Sequence, residues 1–172
     1  MRPLAKFEIM SIQGQRTPFR VLRLCISSGH NFFGHHQKPP GEHETVEVEE
    51  IECVAGRGIR GDRFFDFKEN YKGQITFFSQ EVFDAMCREL MLCEKSPVLS
   101  RRNVIVSGGD LNSLVGADFE IQGVHFRGTG ECSPCYWMDR AFGPGAERFL
   151  KDRGGLRAQI LISGALRVEY EF

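Results

Sequence analysis

From Phe19 onward the chain is organised by short alternations of apolar and polar residues. In "FRVLRLCIS", Val21, Arg23 and Cys25 fall on one face and Leu22, Leu24 and Ile26 on the other, the period of two that marks a strand. "TVEVEEIECVA" opposes Val46 and Val48 to Glu47 and Glu49, which predicts a half-solvated strand with a bulge near Glu50. "GQITFF" and "RNVIVS" are compact β-branched runs. "DFEIQGVHFRG" has two alternating arms about Gly123 and predicts a hairpin. "LRAQILISGALRVEYEF" has two more arms about Ser163–Gly164.

Two segments read as helices. Ser79 is placed to cap "QEVFDAMCREL", where Val82, Phe83, Met86 and Leu90 form one apolar stripe. A shorter one, "GAERFLKD", follows Pro144 and stops at Gly154–Gly155. Strands outnumber helices and do not alternate with them. The expected fold is therefore mainly β, a barrel or sandwich with a few packed α-helices, and not a doubly wound sheet. Residues 1–18 show no pattern and read as an N-terminal extension to a single domain, 19–172.

Composition narrows the function classes. A chain of 172 residues with 41% apolar and 26% charged residues can bury a core without staples. A net charge of -1 leaves no global footprint for nucleic acid or an anionic membrane, so any anion site must be local. The start carries no apolar signal run, and no later run is long enough to span a bilayer. The six cysteines, Cys25, Cys53, Cys87, Cys93, Cys132 and Cys135, then read as free thiols in a reducing cytoplasm.

Four stretches could carry chemistry. "GRGIRGDRFF" interleaves Gly56, Gly58 and Gly61 with Arg57, Arg60 and Arg63, while Asp62 can bond amides or orient an arginine. Amides and guanidinium groups together suit an oxyanion; the plain alternative is a tight turn with solvated arginines. The run lacks the Gly-Lys-Ser/Thr of a phosphate-binding Walker loop and the following helix of a dinucleotide fold. In "SRRNVIV", Arg101 and Arg102 point to opposite faces if the segment is a strand, so one of them could enter a pocket. Asn103 could bond a ligand or close the strand end. "SSGHNFFGHHQKPPGEH" gathers His30, His35, His36 and His43 with no standard metal spacing. It reads as a mobile surface loop or a pocket rim, with Phe32 and Phe33 packed on the body or a substrate.

"GECSPCYW" holds Cys132 and Cys135 at C-x-x-C spacing. A structural zinc site needs four ligands and usually two such knuckles, and a thioredoxin-type pair needs an α/β context. One working thiolate, supported by Arg140 or by converging loop arginines, and a pair of buried inert cysteines both stay open.

Taken in order, "GRGIRGDRFF", "GQITFFSQEVF", "RRNVIVSGGDLNSLVGADFEI", "ECSPC" and "GGLRAQILISGALRV" resemble the MOSC domain, the module named for the C-terminal region of molybdenum cofactor sulfurases and found also as small stand-alone bacterial proteins. The resemblance runs from about Val21 to the end of the chain. It implies a β-barrel-like, pyruvate kinase barrel-like fold with a cleft for the molybdenum cofactor (molybdopterin). It places the reactive cysteine, and the thiolate that would meet the metal, at Cys135, with Cys132 a bystander. It assigns the cofactor's phosphate or pterin to Arg57, Arg60, Asp62 and Arg63, completed by Arg101, Arg102 and Asn103.

Two chemistries follow from that likeness. In one, Cys135 carries a persulfide and transfers sulfur, a role needing an accessible thiolate. The larger sulfurases mobilise that sulfur in a pyridoxal phosphate domain; this chain is too short for one, so a partner cysteine desulfurase is implied. In the other, as in proteins resembling the mitochondrial amidoxime-reducing component, the thiolate ligates molybdenum and N-hydroxylated substrates are reduced. No ferredoxin-like cysteine cluster is present in the sequence, so an external electron donor is implied. A non-catalytic module that stores or delivers the cofactor is a further alternative. Another is a zinc-binding structural domain built from Cys132, Cys135 and loop histidines.

Overall fold

The computed structural model describes residues 15–170. Its strands are β1 (Gln15–Arg16), β2 (Arg20–Ile26), β3 (Val46–Val48), β4 (Glu50–Val54), β5 (Gly58–Ile59), β6 (Ile75–Ser79), β7 (Val104–Ser107), β8 (Asp118–Ile121), β9 (Val124–Glu131), β10 (Leu156–Ile162) and β11 (Gly164–Arg167). The helices are α1 (Gln80–Glu89), α2 (Trp137–Ala141) and α3 (Ala146–Leu150), with 3-10 turns at Pro97–Ser100 and Leu111–Leu114. The mainly β architecture with packed helices is the one the alternation predicts. Most of the expected extension 1–18 lies outside the described residues; Gln15 and Arg16 run parallel to β8.

A mixed sheet runs in the order β1-β8-β9-β10-β6-β7-β2-β3, and a three-stranded sheet in the order β11-β4-β5. The smaller sheet closes the open side of the larger one. Gly56 N donates to Ile160 O at 3.0 Å, and Glu169 N to Val21 O at 2.8 Å. The arms about Ser163–Gly164 are consequently not a hairpin: β10 pairs with β9 and β6, whereas β11 crosses to β4. The run around Glu50 also divides, β3 joining the large sheet and β4 the small one. The hairpin about Gly123 does form, with Gln122 and Gly123 at φ 51° and 80°, the pair of positive values that a two-residue turn of matching twist requires.

Alternation divides the sheet residues between two cores. Phe77, Val104 and Val106 point into the barrel, where Phe77, Phe119 and Phe126 meet with ring centroids 5.3–5.7 Å apart. Phe78 and Ile105 point outward against Phe83, Met86, Trp137, Phe142 and Phe149 of the helices. Because both faces are covered, all five residues of β6 are buried. In β2 a register shift between Val21 and Arg23 resets the phase. Val21 and Leu24 therefore share the barrel core, which corrects the face assignment read from the sequence.

Helix α1 occupies the crossover between the parallel strands β6 and β7. Ser79 caps it by accepting from Val82 N at 3.2 Å, and Phe83 and Met86 are its buried stripe. Helix α2 has only five residues, too few to show a period, and no side-chain cap at its start; the equally short α3 is legible only through the flanking Pro144 and Gly154–Gly155. Asp139 of α2 accepts from Glu147 N at 2.7 Å and so caps α3. No helix among the described residues is long and apolar enough to cross a membrane.

Phe78→Ala should cost about 3–5 kcal/mol, by loss of contacts and an unfilled cavity. Ser79→Ala should cost about 1 kcal/mol. Denaturant midpoints check both, and equal effects would contradict the two-core packing.

Candidate functional site

The site grows from the outward face of the large sheet. Thr76 shares that face with Phe78, and Asn103 shares it with Ile105, by the two-residue period of β6 and β7. Arg157 is the cross-strand partner of Thr76. Where the helices no longer cover this face, a cavity of about 550 Å³ opens.

A buried carboxylate organises the cavity floor. Asp62 Oδ1 accepts from Ser27 N at 3.1 Å, Asn103 Nδ2 at 3.2 Å and Arg63 Nη1 at 3.2 Å, and Oδ2 accepts from Phe64 N at 3.2 Å. Asn103 is equally committed. Its Oδ1 accepts from Thr76 N and Oγ1, and its Nδ2 also donates to Cys25 O. Neither Asp62 nor Asn103 is among the cavity-lining residues, so both sit behind the wall as supports.

Three of the expected arginines do converge on the cavity. Arg63, whose charge is opposed first by burial, also donates to Arg101 O at 3.0 Å. Arg101 and Arg102 are not in a strand. Arg101 leaves the 3-10 turn in a left-handed conformation, φ 57°, which lets both arginines line the cavity and corrects the expectation that only one could. Arg101 donates to four neutral oxygens: His43 O, Thr45 Oγ1, Ser27 Oγ and Gly29 O. Burial first, then repulsion by Arg63, brings it down to about 10, which leaves it charged at neutral pH. Arg102 reaches Gly154 O, Ser100 O and Cys132 O, each at 3.2 Å.

Arg57 and Arg60 are not brought in. Arg57 pairs with Asp66, and Arg60 with Glu52, both on the solvent side. Glu52 lies next to Cys53, which pairs with Ile59 in the β4–β5 ladder, so Arg60 has a partner across the turn before any ligand arrives. The glycines of this loop do adopt positive φ, with Gly58 at 117°.

Two cations that the sequence does not single out, Lys72 and Arg157, complete a set of five with Arg63, Arg101 and Arg102 among the described residues, of which no Asp or Glu lines the cavity. Arg157 had a usable signal: strand alternation separates it from the buried Leu156 and Ala158. The walls are aromatic. Phe32 stacks on Trp137 at 4.6 Å and 24°, and Tyr136 lies 4.7 Å from Trp137. Arg140 sits over the Trp137 ring at 4.9 Å and does not line this cavity.

The histidine segment forms the rim. Asn31 pairs its side-chain amide with both backbone groups of His43, at 2.8 Å each, and its carbonyl accepts from Gly41 N. This closes a compact loop, and Arg101 holds its base at His43 O. His30 and His36 face the cavity.

Both cysteines of "GECSPCYW" line the cavity, Cys132 buried at 2% exposure and Cys135 exposed. Their segment is fixed against the start of β10. Cys132 N donates to Gly155 O at 2.8 Å, and Gly154 N to Glu131 Oε1 at 3.1 Å. A Cβ at Gly154 would lie 2.3 Å from Cys132 O, and one at Gly155 would lie 2.3 Å from Phe77 O, so neither position admits a side chain. Among the described residues no three His, Cys, Asp or Glu side chains are grouped to hold a metal ion, which removes the preformed zinc site of Cys132, Cys135 and loop histidines.

Asp62→Ala strands the buried Arg63 charge and should cost about 3–5 kcal/mol. Arg57→Ala breaks an exposed pair and should cost less than about 1 kcal/mol. Chemical denaturation separates the two. Iodoacetamide at neutral pH should modify Cys135 and Cys93 first. Cys25 and Cys53, whose burial pushes the thiols up to about 12, should react only on unfolding. Early labelling of Cys53 would contradict the sealed inner face of β4.

Comparison with known proteins agrees with this architecture. The family model described as the MOSC domain matches residues 55–171. No curated protein sequence matches the chain. Among solved structures, the YuaD protein from Bacillus subtilis aligns with a TM-score of 0.67 at 19% identity, covering 87% of this chain and 91% of that one. YiiM from Geobacillus stearothermophilus aligns with a TM-score of 0.62 at 10% identity, covering 87% and 71%. YiiM from Escherichia coli aligns with a TM-score of 0.55 at 15% identity, covering 85% and 66%. At these identities the likeness is one of fold. The family match over most of the chain makes this protein a member of the MOSC domain family, which is associated with the molybdenum cofactor.

Proposed function

We propose that this chain binds molybdenum cofactor in the 550 Å³ cavity and acts through Cys135. The observation that carries the reading is the lining itself: among the described residues, five cations, no carboxylate, aromatic faces and an exposed thiol in one concavity. The fit to the group is chemical. A phosphate suits Arg63, Arg101, Arg102, Arg157 and Lys72; a flat pterin suits the faces of Trp137, Tyr136 and Phe32; a soft metal suits the Cys135 thiolate.

When bound, the cofactor would supply two-electron redox chemistry or an acceptor for sulfur. The chain's own residues hold and orient. Arg102 fixes the carbonyls of Cys132 and Gly154, which sets the path of the backbone leading to Cys135. Arg101 anchors the loop that rims the cavity. In sulfur transfer, Cys135 would receive sulfur from a partner cysteine desulfurase. In reduction of N-hydroxylated substrates, Cys135 would hold the metal while an external donor supplies electrons. The buried Cys132 has neither the exposure nor the freedom for either task.

Pterin and metal analysis, with intact-mass detection of a persulfide, tests this on protein made in a cofactor-producing host. Bound pterin is expected in wild type. Cys135→Ser should abolish transfer or reduction, and Cys132→Ser should largely spare it. Arg157→Ala should weaken retention by about 1.5–3 kcal/mol, the scale of a charged hydrogen bond. Arg60→Ala should leave retention unchanged. Zinc without pterin would sink the proposal. Pterin retained with activity unaffected by Cys135→Ser would leave a delivery module in its place.

A further inference from the structure

The histidine loop contributes two imidazoles to the cavity. Among the described residues that line the cavity there is no carboxylate, and the imidazoles are His30 and His36. His36 is exposed at the outer rim, edge-on to Tyr136 at 5.9 Å. His30 is half-buried, and its plane is fixed by the rings of Phe33, Phe64 and Phe67 at 5.2, 4.8 and 5.8 Å. Among the described residues neither of its ring nitrogens has a hydrogen-bond partner. It follows directly on Gly29, whose carbonyl accepts from Arg101, and its ring touches Phe64, next to Arg63.

We propose that His30 is part of the anion site and takes up a proton when a dianionic group enters the cavity, so that anion binding is coupled to pH. The inference rests on reading this cavity as an anion site, and does not require that the anion be molybdopterin.

The charged and titratable groups around the ring give the direction. Arg63, Arg101 and His43 oppose a charge on His30, and Asp62 favours one. Lys72, Arg102 and Arg157 add further positive charge to the same cavity, and Tyr71, Cys132, Cys135 and His36 also line it. Burial first, then Arg63, holds the imidazole below its ordinary value, so without a ligand His30 is neutral at neutral pH. A dianion offsets the repulsion from Arg63 and Arg101 and attracts the imidazolium directly. Its arrival therefore raises the proton affinity of His30. By reciprocity, protonated His30 raises the affinity for the anion. Anion binding is strongest below the His30 titration in the free protein and weakens as pH rises through the interval up to its value in the complex.

Sulfate is a suitable probe because its own charge is constant over about pH 5 to 8, the range in which histidine titrates. Calorimetric titration of the wild-type protein with sulfate should show affinity falling by up to about tenfold per pH unit within that interval. Heats at neutral pH should vary with buffer ionisation enthalpy in the sense of proton uptake. His30→Gln should bind with the weaker, high-pH affinity throughout and show no such slope, while His36→Gln should keep the wild-type slope. Because His30→Gln also alters the aromatic cluster, a second measurement uses the unaltered protein: the imidazole nitrogen resonances of His30, followed against pH, should titrate higher with sulfate than without. Sulfate binding that leaves the His30 titration unmoved, or a slope retained in His30→Gln, would overturn the inference. Absence of saturable sulfate binding at any pH would overturn the anion-site reading and the inference with it. Sulfate binding coupled to His30 in a protein that never carries pterin would uphold the inference while defeating the cofactor proposal.

Discussion

The Asp62 carboxylate is the contact on which the rest of this site depends. A buried anion is tolerated only when donors surround it, and its four come from three separate segments. Ser27 lies just after β2, Phe64 and Arg63 follow the glycine turn, and Asn103 stands at the start of β7. Meeting at one carboxylate fixes those segments relative to one another. It also offsets the charge of Arg63, which faces inward with only 10% of its side chain exposed. Asn103 carries the constraint across the sheet to Thr76 and to the carbonyl of Cys25.

From this support comes the sorting of arginines. Arg57 and Arg60 have carboxylates on the solvent side, and their pairs are closed. Arg101 and Arg102 are held almost wholly by carbonyl and hydroxyl oxygens, which satisfy their N–H groups without cancelling their charge. Positive potential therefore accumulates in the cavity of a chain whose formal net charge is -1. Arginine suits these places better than lysine, because a planar fork of five donors can bridge several carbonyls at once.

The sequence made the strands, the Gly123 hairpin and the Ser79 cap legible, since each rests on local pattern or turn chemistry. It did not make the sheet changes after Glu49 and Ser163 legible, because alternation reports faces and not partners. The inward turn of both Arg101 and Arg102 depends on a left-handed residue at the exit of a 3-10 turn, a conformation that an arginine in sequence does not advertise. Asp62 and Asn103, legible in the sequence as polar residues beside arginines, lie behind the wall, where their polar atoms are taken up by backbone and side-chain partners. Lys72 stands alone among unlike neighbours, and Arg157, although it follows Gly154–Gly155, reads in the sequence only as the polar position of an alternating strand. The MOSC resemblance organised the motifs correctly in order, but residue by residue the cavity had to be read from the fold.

The glycines at 154 and 155 give the site a particular vulnerability. Each occupies a place where an added methyl would meet a carbonyl oxygen, one belonging to Cys132 and the other to Phe77. They act as a clearance between the cysteine segment and the sheet, and their lack of side chains sets how near the two can lie. Neither residue lines the cavity, and neither offers a reactive group. Substitution is thus sterically barred at positions where no chemistry occurs, and the seat of the thiol is set by two residues defined by what they leave out.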